Sequence, residues 1–326
     1  MTKAFRFHAT GGAEVLRLED IVLREPGPGE VRMRNTAVAV NFRDILVRRG
    51  AHRVATLPSG LGLESAGVID AVGHGVTDLA VGDRVACVAG PDSAYAEHRI
   101  VPAARVVQLP AAIDERTAAA MMIRGMTARY LLHETYRVKA GDTTLVHAAA
   151  GGVGLILCQW ARHLGATVIG TVGSADKAAV ARQHGCDHPI VLGAGVDFAA
   201  QVRALTGGQG VPVVYDSIGR ATLEGSLNCL ARRGVLATFG EASGDPEPIA
   251  PRRLGTLGSV YVTHPSLGDY TVTRAELLAT ANHLFDMVAN GRIRIEITRA
   301  YAFADAARAH AAMEARRTIG SIVLVL

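Results

Sequence analysis

The chain has 326 residues, of which 49% are hydrophobic and 20% charged, and its formal net charge at pH 7 is +4. This length is enough for two globular domains, and the composition excludes a disordered or low-complexity chain. No apolar run reaches the roughly 18–20 residues of a membrane span, and the first ten residues lack the apolar segment of a secretory signal. The cations are dispersed in pairs, which argues against a nucleic-acid groove. We therefore expect a cytoplasmic protein.

The first 120 residues favour β-structure. Glycine- and proline-rich turns separate short apolar runs, and these runs predict strands at 3–8, 15–23, 31–40, 60–72, 83–89 and 95–101, the first two as a hairpin. A short helix is predicted to begin after the cap residue Asn41 and to end at Gly50. Short strands with glycine corners are typical of a compact β-barrel. A helix at 111–136, capped by Asp114, is predicted to follow it.

The centre of the chain is organised around residues 143–170. An apolar strand, a turn with almost no side chains, a helix and a second strand follow one another. Their predicted ranges are 143–147, 149–154, 153–164 and 166–171. A diphosphate must approach backbone N–H groups at a helix N-terminus, and glycines there leave room for it. Gly151 and Gly154 supply two glycines of the G-x-G-x-x-G pattern, and Ala149 replaces the first. This order predicts a dinucleotide-binding βαβ unit.

The alternation of helices and strands continues after this unit. Further helices are predicted at 174–184, 198–206 and 221–230, and further strands at 189–192, 211–215, 235–239 and 259–263, with a proline-rich loop at 241–258. The tail has predicted helices at 274–290 and 304–316 and strands at 293–298 and 321–326. The alternation predicts a parallel sheet covered on both faces. The change of character in the tail predicts that it packs back on the first domain.

Six strings together resemble one enzyme family. They are NFRD (41–44), LPSGLGLESAGV (57–68), VGDRV (81–85), HAAAGGVG (147–154), VYDSIG (214–219) and GSVYVTHPSL (258–267). With the barrel, the dinucleotide motif and the returning tail, they resemble the zinc-independent NADPH:quinone oxidoreductases, the zeta-crystallin-like branch of the medium-chain dehydrogenase/reductase superfamily. The resemblance runs over nearly the whole chain.

The resemblance implies a two-domain α/β fold. A GroES-like β-barrel catalytic domain would occupy 1–125, and a Rossmann domain with a doubly wound parallel sheet would bind NADPH at 126–262. Residues 263–326 would return to complete the catalytic domain. The cofactor would lie between the domains.

The family branch implies that no zinc is bound. Zinc-dependent members have a cysteine in the region of 41–44, a His-Glu pair near Glu64 and a four-cysteine lobe. Here Glu64 follows Gly62-Leu63, and the cysteines are far apart, at Cys87, Cys158, Cys186 and Cys229. The twelve histidines are scattered, without the spacing of a metal-binding helix. Only His52 and His264 match positions near the expected pocket.

The segment TVGSADK at 171–177 indicates NADPH. A site that prefers NAD places an acidic residue at the end of this strand, and none is present. Lys177 would oppose the dipole of the following helix, so a phosphate partner explains it better than solvation does. In the family, the residues matching Gly173, Ser174 and Lys177 hold the 2′-phosphate. Leu192 departs from the family, which usually has a tyrosine there.

The resemblance implies a wider set of cofactor contacts. The implied residues are Asn41, Asp44, Thr127, Tyr130, Gly151, Gly152, Val153, Gly173, Ser174, Lys177, Ser217, Phe239, Gly240 and Arg317. Asn41 and Thr127 are expected near the nicotinamide, Tyr130 near the phosphates, and Arg317 at the cofactor from the tail. The candidates for the acceptor pocket are Asn41, Leu46, His52, Arg124 and His264. The family usually has tyrosines at the positions of Leu46 and His52 and a lysine at that of Arg124. The pocket positions therefore match the family less closely than the cofactor positions do.

The expected function is zinc-free hydride transfer from NADPH to a quinone or a similar conjugated carbonyl compound. One alternative is an enoyl or 2-alkenal reductase, with His52 or His264 as candidate proton donor. Another is a non-catalytic NADPH-binding protein with a structural or RNA-binding role. No nucleic-acid or membrane partner is expected. A homodimer is expected from the resemblance, by strand addition around 259–263, unless that strand is internal to the sheet.

Overall fold

The computed structural model describes residues 1–88, 93–316 and 318–326. The chain divides into two units. Unit 1 consists of Met1–Ile123, Thr273–Ala289 and Ile295–Leu326, and unit 2 of Arg124–Val272 and Asn290–Arg294. Within the described ranges, every helix is too short or too polar to cross a membrane.

The strands and helices are numbered in chain order. The strands are β1 Thr2–Arg6, β2 Arg17–Ile21, β3 Glu30–Val40, β4 Glu64–Val72, β5 Arg84–Val88, β6 His98–Pro102, β7 Val106–Gln108, β8 Thr143–Val146, β9 Thr167–Val172, β10 His188–Val191, β11 Val211–Asp216, β12 Leu230–Thr238, β13 Tyr261–Thr263, β14 Ile297–Ala302 and β15 Ser321–Val325. The α-helices are α1 Phe42–Arg49, α2 Glu115–Tyr130, α3 Gly152–His163, α4 Ala175–Gln183, α5 Phe198–Leu205, α6 Leu223–Cys229, α7 Pro251–Thr256, α8 Arg274–Ala289 and α9 Ala306–Glu314.

Unit 1 is built around a mixed sheet. Among the described residues, its strand order is β14-β15-β3-β4-β5-β7, with β6 also paired to β3, while β1 and β2 form a separate antiparallel pair. The long strand β3 contributes Val31 and Met33 to one hydrophobic core and Val38 and Val40 to another. Strand β15 from the tail pairs antiparallel with β3. The tail is therefore part of this sheet.

Unit 2 contains the parallel sheet that the alternating pattern predicts. Its six strands have the order β10-β9-β8-β11-β12-β13, and all neighbouring pairs are parallel. The chain runs outward from β8 to β10 and then returns to β11 on the other side of β8. Open sheets of this kind bind ligands outside the carboxyl ends of the strands, where the order reverses. The predicted fold class is confirmed.

The predicted caps of two helices form as expected. Asn41 and Asp44 make a reciprocal capping box at the start of α1, and the Asn41 N–H donates to Asp44 Oδ2 at 2.8 Å. Gly50 ends this helix with φ +79°, a conformation that glycine adopts without strain. Asp114 accepts from the Thr117 N–H at 2.9 Å at the start of α2. Local sequence rules were sufficient here because the partners are only three residues apart.

Some predicted boundaries were wrong. The strand predicted at 60–72 begins only at Glu64, because Gly62 has φ +86° and interrupts an extended chain. The helix predicted at 111–136 ends at Tyr130 and continues as the π-helical turn Leu131–Thr135. The helix predicted at 221–230 ends at Cys229, and β12 begins directly after it. The last residue of the strand predicted at 83–89 lies outside the described residues.

Three further elements differ from the prediction. The proline-rich loop contains α7, whose first residue is Pro251, a position where the missing N–H costs nothing. The three-residue strand β7 was missed because so short a run carries little pattern. Strand β14 begins four residues later than the predicted strand at 293–298, and Ile293 is buried outside any strand. The apolar character of Ile293 suggested a buried strand, but the residue is buried in a segment that is not one.

Candidate cofactor site

The glycine turn after β8 leaves no room for a side chain at Gly154. A Cβ there would overlap the carbonyl oxygen of Ala148 and lie 2.8 Å from the Cα of Ala149. Ala148 itself has φ +50°, and the Gly151 N–H donates to its oxygen at 2.8 Å. The buried methyl group of Ala149 packs against Gly170 of β9, where a Cβ would come within 2.6 Å of it. The turn is therefore held closely against the sheet.

Helix α3 begins at this turn with backbone N–H groups that no side chain caps. Gly151 is its N-cap residue, and neither a side-chain cap nor an acidic residue is present in the first turn. The N-terminus of a helix carries a partial positive charge. Gly151, Gly152 and Val153 are partly exposed at this end. The arrangement suits a diphosphate, as the glycine pattern predicts.

The loop after β9 carries the residues predicted for the 2′-phosphate. Gly173 is exposed, and a Cβ there would contact nothing within 4 Å. Ser174 caps α4 by accepting from the Lys177 N–H at 3.3 Å. This bond uses a lone pair of the hydroxyl and leaves its hydrogen able to donate to an anion. The structure thus places Gly173, Ser174 and Lys177 within one loop and the first turn of a helix.

The ends of β11 and β12 bring another predicted group together. A Cβ on Gly240 would come within 2.9 Å of the carbonyl oxygen of Ser217, and the Phe239 N–H donates to the oxygen of Asp216 at 2.8 Å. Ser217, Phe239 and Gly240 are all partly exposed. They lie at the carboxyl ends of parallel strands, the edge at which such sheets bind ligands.

Tyr130 is held in a way that the sequence did not reveal. It is 2% exposed, its ring stacks on Tyr270 with centroids 4.3 Å apart, and its hydroxyl donates to the carbonyl oxygen of Pro265 at 3.3 Å. Burial raises the pKa of Tyr130 well above its usual value, so the hydroxyl stays protonated. The tyrosine fixes the segment next to His264, while His264 itself is exposed. Buried Thr127 lies one turn earlier on α2.

In unit 1, Asn41 lies in a buried polar cluster. Its side-chain amide donates to Glu64 Oε1 at 2.9 Å, and the other oxygen of this fully buried carboxylate accepts from the Ile123 N–H at 2.6 Å. Asp44 is buried below it and accepts from the Asn41 N–H. The N-cap residue Asn41 and Asp44 of α1 are therefore both fixed by hydrogen bonds.

A second buried chain of hydrogen bonds ends on Asp44. The Tyr95 hydroxyl donates to Asp44 Oδ2 at 3.3 Å and lies 2.9 Å from Nε2 of His310. Nδ1 of His310 faces the Arg48 guanidinium at 3.2 Å, and Arg48 also donates to Glu314 Oε1 at 2.6 Å. Since Arg48 can only donate, Nδ1 accepts, and Nε2 carries the hydrogen that points to Tyr95. The network ties α9 to the start of α1.

This network predicts a pH dependence of stability. Burial and the adjacent Arg48 guanidinium lower the pKa of His310 to about 3. The unfolded chain, with an ordinary histidine pKa of about 6.5, binds a proton between these values that the folded chain does not. Stability is therefore full above about pH 6.5 and falls below it. At pH 5 we expect about 2 kcal/mol less from this imidazole alone.

Urea unfolding at pH 7 and pH 5 measures this effect. His310→Gln should be less stable at pH 7 and lose about 2 kcal/mol less than the wild type between the two pH values. Arg48 and Tyr95 contact the ring, Glu314 and Asp44 accept from these two residues, and all four are the same in both proteins. An equal loss in the two proteins would contradict the assignment.

The remaining predicted residues are placed as follows. Leu46 and His52 are partly buried in unit 1, whereas Arg124 is buried in unit 2. Leu192 is partly buried against the core of unit 2. Arg317 lies outside the described residues. In the described part of the chain, no three histidine, cysteine, aspartate or glutamate side chains are grouped so that they could hold a metal ion.

Sequence reasoning missed the buried polar partners behind the site. His147, Thr171 and Asp216 lie at the ends of β8, β9 and β11. His147 is hydrogen-bonded directly to Thr171 and is linked to Asp216 through Ser226. The sequence did contain a signal, because three predicted parallel strands each end in or directly before a polar residue. The carboxyl ends of such strands lie at one edge of the sheet.

Comparisons with known proteins agree with this architecture. Residues 27–111 match the alcohol dehydrogenase GroES-like domain family, and residues 152–283 match the family described as zinc-binding dehydrogenase. The chain is 50% identical to a quinone oxidoreductase of Pseudomonas aeruginosa and 46% identical to a 2-haloacrylate reductase of a Burkholderia species. These alignments cover all of this chain and 100% and 99% of the relatives. The crystal structure of Escherichia coli quinone oxidoreductase complexed with NADPH matches with a TM-score of 0.97 and 42% identity, over 99% of this chain and 100% of that one.

The family resemblance is thus confirmed by full-length relatives, and both domain families occur in the predicted order. The match in structure extends over both units of the chain. The chain belongs to the quinone oxidoreductase family of the medium-chain dehydrogenase/reductase superfamily.

Proposed function

We propose that this chain is an NADPH-dependent oxidoreductase that reduces a quinone or a similar conjugated carbonyl compound. The observation that carries the proposal is the pair of anion sites in unit 2: the uncapped N-terminus of α3 and the Ser174–Lys177 turn. A diphosphate and a 2′-phosphate are the two anionic groups of NADPH. The names of the relatives support both the cofactor and the reaction.

The residues of the chain bind and orient the reactants. NADPH, when bound, supplies the hydride for the reduction. We assign the diphosphate to the backbone of Gly151, Gly152 and Val153, and the 2′-phosphate to Gly173, Ser174 and Lys177. The proposal includes the remaining predicted cofactor residues, Asn41, Asp44, Thr127, Tyr130, Ser217, Phe239, Gly240 and Arg317, and the pocket residues Leu46, His52, Arg124 and His264.

We further propose that the reaction uses no zinc. The best-placed carboxylate, Glu64, already accepts hydrogen bonds from Asn41 Nδ2 and the Ile123 N–H. The zinc sites of enzymes are completed by histidine or cysteine, and in the described part of the chain no three histidine, cysteine, aspartate or glutamate side chains are grouped so that they could hold a metal ion. Metal analysis of active protein should find far less than one zinc per chain, and activity lost on chelation would contradict the proposal.

Turnover of NADPH with a panel of acceptors tests the proposed function. Purified protein should oxidise NADPH with quinones faster than with 2-alkenals or 2-haloacrylates at matched concentrations. The second candidate is reduction of an activated C=C bond, which the 46% identical 2-haloacrylate reductase favours. Turnover of the alkenes alone would establish that candidate. Tight NADPH binding without turnover would indicate the non-catalytic role.

Lys177→Ala is expected to weaken NADPH binding about ten- to a hundredfold and to leave NADH binding almost unchanged. Removing one charge-assisted contact to a phosphate costs about 1.5–3 kcal/mol, and only NADPH carries that phosphate. Fluorescence titration of both cofactors measures the two affinities.

Lys139→Ala is the matched control for Lys177→Ala. Lys139 is an exposed lysine of the same unit, so this change removes the same charge at another place. It should leave the affinity for NADPH within about twofold of the wild type, because exposed charges at a distance are screened by salt. Equal losses for NADPH and NADH in Lys177→Ala would refute the assignment of the 2′-phosphate.

We also propose a homodimer and a cytoplasmic location. Strand β13 lies at the edge of the parallel sheet, and Tyr261 on it is 60% exposed. An edge strand can pair with that of a second copy. Light scattering should give twice the 34.2 kDa mass of the chain, and a monomeric mass would contradict the dimer. The domain limits 1–125, 126–262 and 263–326 are part of the same proposal.

A further inference from the structure

A buried imidazole lies behind the proposed cofactor loops. His147 follows β8 directly and is 1% exposed. Its Nδ1 lies 2.8 Å from the Thr171 hydroxyl of β9, and its Nε2 lies 2.9 Å from the Ser226 hydroxyl of α6. Ser226 in turn donates to Asp216 Oδ2 of β11 at 2.8 Å. The four side chains form one continuous row below the carboxyl edge of the sheet.

The chemistry of the partners fixes the direction of every bond in this row. The Asp216 carboxylate accepts from Ser226, from the Thr222 hydroxyl at 2.9 Å and from the N–H groups of Ile218 and Gly219 at 2.8 and 3.1 Å. The single hydroxyl hydrogen of Ser226 is therefore used, and its oxygen accepts from Nε2–H of His147. Nδ1 then accepts from Thr171.

The ring is held neutral. Burial lowers the pKa of His147, and the nearby Asp216 carboxylate offsets only part of this effect. A neutral imidazole presents one donor and one acceptor at opposite ends, which is the combination that the two hydroxyls require. Phe198 packs edge-on against the ring, with centroids 5.1 Å apart, and limits its rotation.

Each partner of the ring leads to a different loop. His147 itself precedes the glycine turn that ends at Gly151. Thr171 lies two residues before Gly173, in the segment that continues to Ser174 and Lys177. The N–H groups that Asp216 binds belong to the turn that carries Ser217. One ring thus joins the roots of three loops, and its partner Ser226 lies 79 residues further along the chain.

We propose that His147 is a positioning residue that holds these three loops in the arrangement NADPH requires, with Thr171 setting the 2′-phosphate loop and Ser226 setting the Ser217 turn. The inference rests on the proposed function, because it assigns these loops to NADPH. It adds a residue that does not touch the cofactor and gives the two hydroxyls separate effects on cofactor choice.

Two single substitutions separate these effects. Thr171→Val removes the hydrogen bond on the side of the 2′-phosphate loop, so the Kd of NADPH should rise about three- to tenfold while that of NADH changes less than twofold. Ser226→Ala removes the bond on the side of the Ser217 turn, which does not face the 2′-phosphate. It should weaken NADPH and NADH by similar factors of about three to ten.

Thr144→Val is the matched control. The Thr144 hydroxyl is buried in β8, and it has no hydrogen-bond partner among the described residues. Its removal changes a threonine to valine in the same sheet without breaking a bond. The Kd of both cofactors should stay within about twofold of the wild type.

Substitution of His147 tests whether its ring is needed for the effect of Thr171 on cofactor preference. In a His147→Phe background, Thr171→Val should change the ratio of the two cofactor affinities less than twofold, because the acceptor for its hydroxyl is already absent. His147→Gln offers an acceptor and a donor on one side chain, so it should recover part of the NADPH preference that His147→Phe loses. Titrations use folded protein, verified by circular dichroism and melting temperature.

The outcomes distinguish this inference from the proposed function. If the wild type fails to bind NADPH more tightly than NADH, the proposed function fails and the inference falls with it. If the wild type prefers NADPH but both variants change only the melting temperature, or Thr171→Val weakens NADPH and NADH equally, the row merely stabilises the sheet and the inference is overturned. A selective NADPH loss in Thr171→Val that disappears in the His147→Phe background supports it.

Discussion

Replacing Gly154 with alanine is expected to lower the free energy of unfolding by about 3 kcal/mol and to weaken NADPH binding about a hundredfold. The new Cβ would overlap the Ala148 carbonyl oxygen and lie 2.8 Å from Ala149 Cα. Both neighbours are backbone atoms, so the turn itself has to move. In the proposed binding mode the same turn presents the first N–H groups of α3 to the diphosphate, so stability and affinity should decrease together.

Gly255→Ala is the control for this prediction. Gly255 lies in α7, and a Cβ there would contact nothing within 4 Å. Alanine favours a helix over glycine by up to about 1 kcal/mol, so this variant should be as stable as the wild type or slightly more stable. Urea unfolding and NADPH titration measure both variants. Wild-type affinity in Gly154→Ala would show that the turn does not bind the cofactor.

Arg48→Met is expected to lower the free energy of unfolding by about 3 kcal/mol. The Arg48 side chain is fully buried, and it donates to the Gly11 carbonyl oxygen at 3.1 Å as well as to His310 and Glu314. Methionine fills much of the same volume but leaves these acceptors unsatisfied. Glu314 is 25% exposed and can regain some hydration, which places the loss at the lower end of the range for a broken buried ion pair.

The neighbouring arginine provides the comparison. Arg49 lies 3.7 Å from the same Glu314 carboxylate, but its side chain is 61% exposed. Exposed ion pairs contribute about 1 kcal/mol or less, so Arg49→Met should change the free energy of unfolding by no more than that. Similar losses in both variants would show that burial of the Arg48 guanidinium does not account for its contribution to the free energy of unfolding. Urea unfolding at pH 7 gives both values.

The parts of the site that the sequence predicted are those made by neighbours along the chain. The glycines of the turn at 148–154, the capping box of Asn41 and Asp44, and the Ser174 cap all join residues at most six positions apart. At that distance, backbone conformation and side-chain size decide the contact. The alternation of helices and strands similarly predicts a parallel sheet, because one strand after another must cross over through a helix.

The parts that could not be predicted join distant residues. Arg48 is one of two adjacent arginines on a short helix, and nothing in that pair indicates which one is buried beside a glutamate 266 positions away. His147 looked like one of many scattered histidines until the sheet placed it between Thr171 and Ser226. Tyr130 matched a family position near the phosphates, whereas the structure also stacks it on Tyr270.

By itself, the sequence determined the two kinds of domain, the glycine turn with its helix, the serine cap in the loop after β9, and the family. These properties depend on local backbone preferences and on motifs that keep their spacing along the chain. Only the tertiary structure decided which buried polar groups support those loops and the start of α1. A buried donor or acceptor requires a hydrogen-bond partner. Which residue the fold brings within hydrogen-bonding distance cannot be predicted from the order of the residues alone.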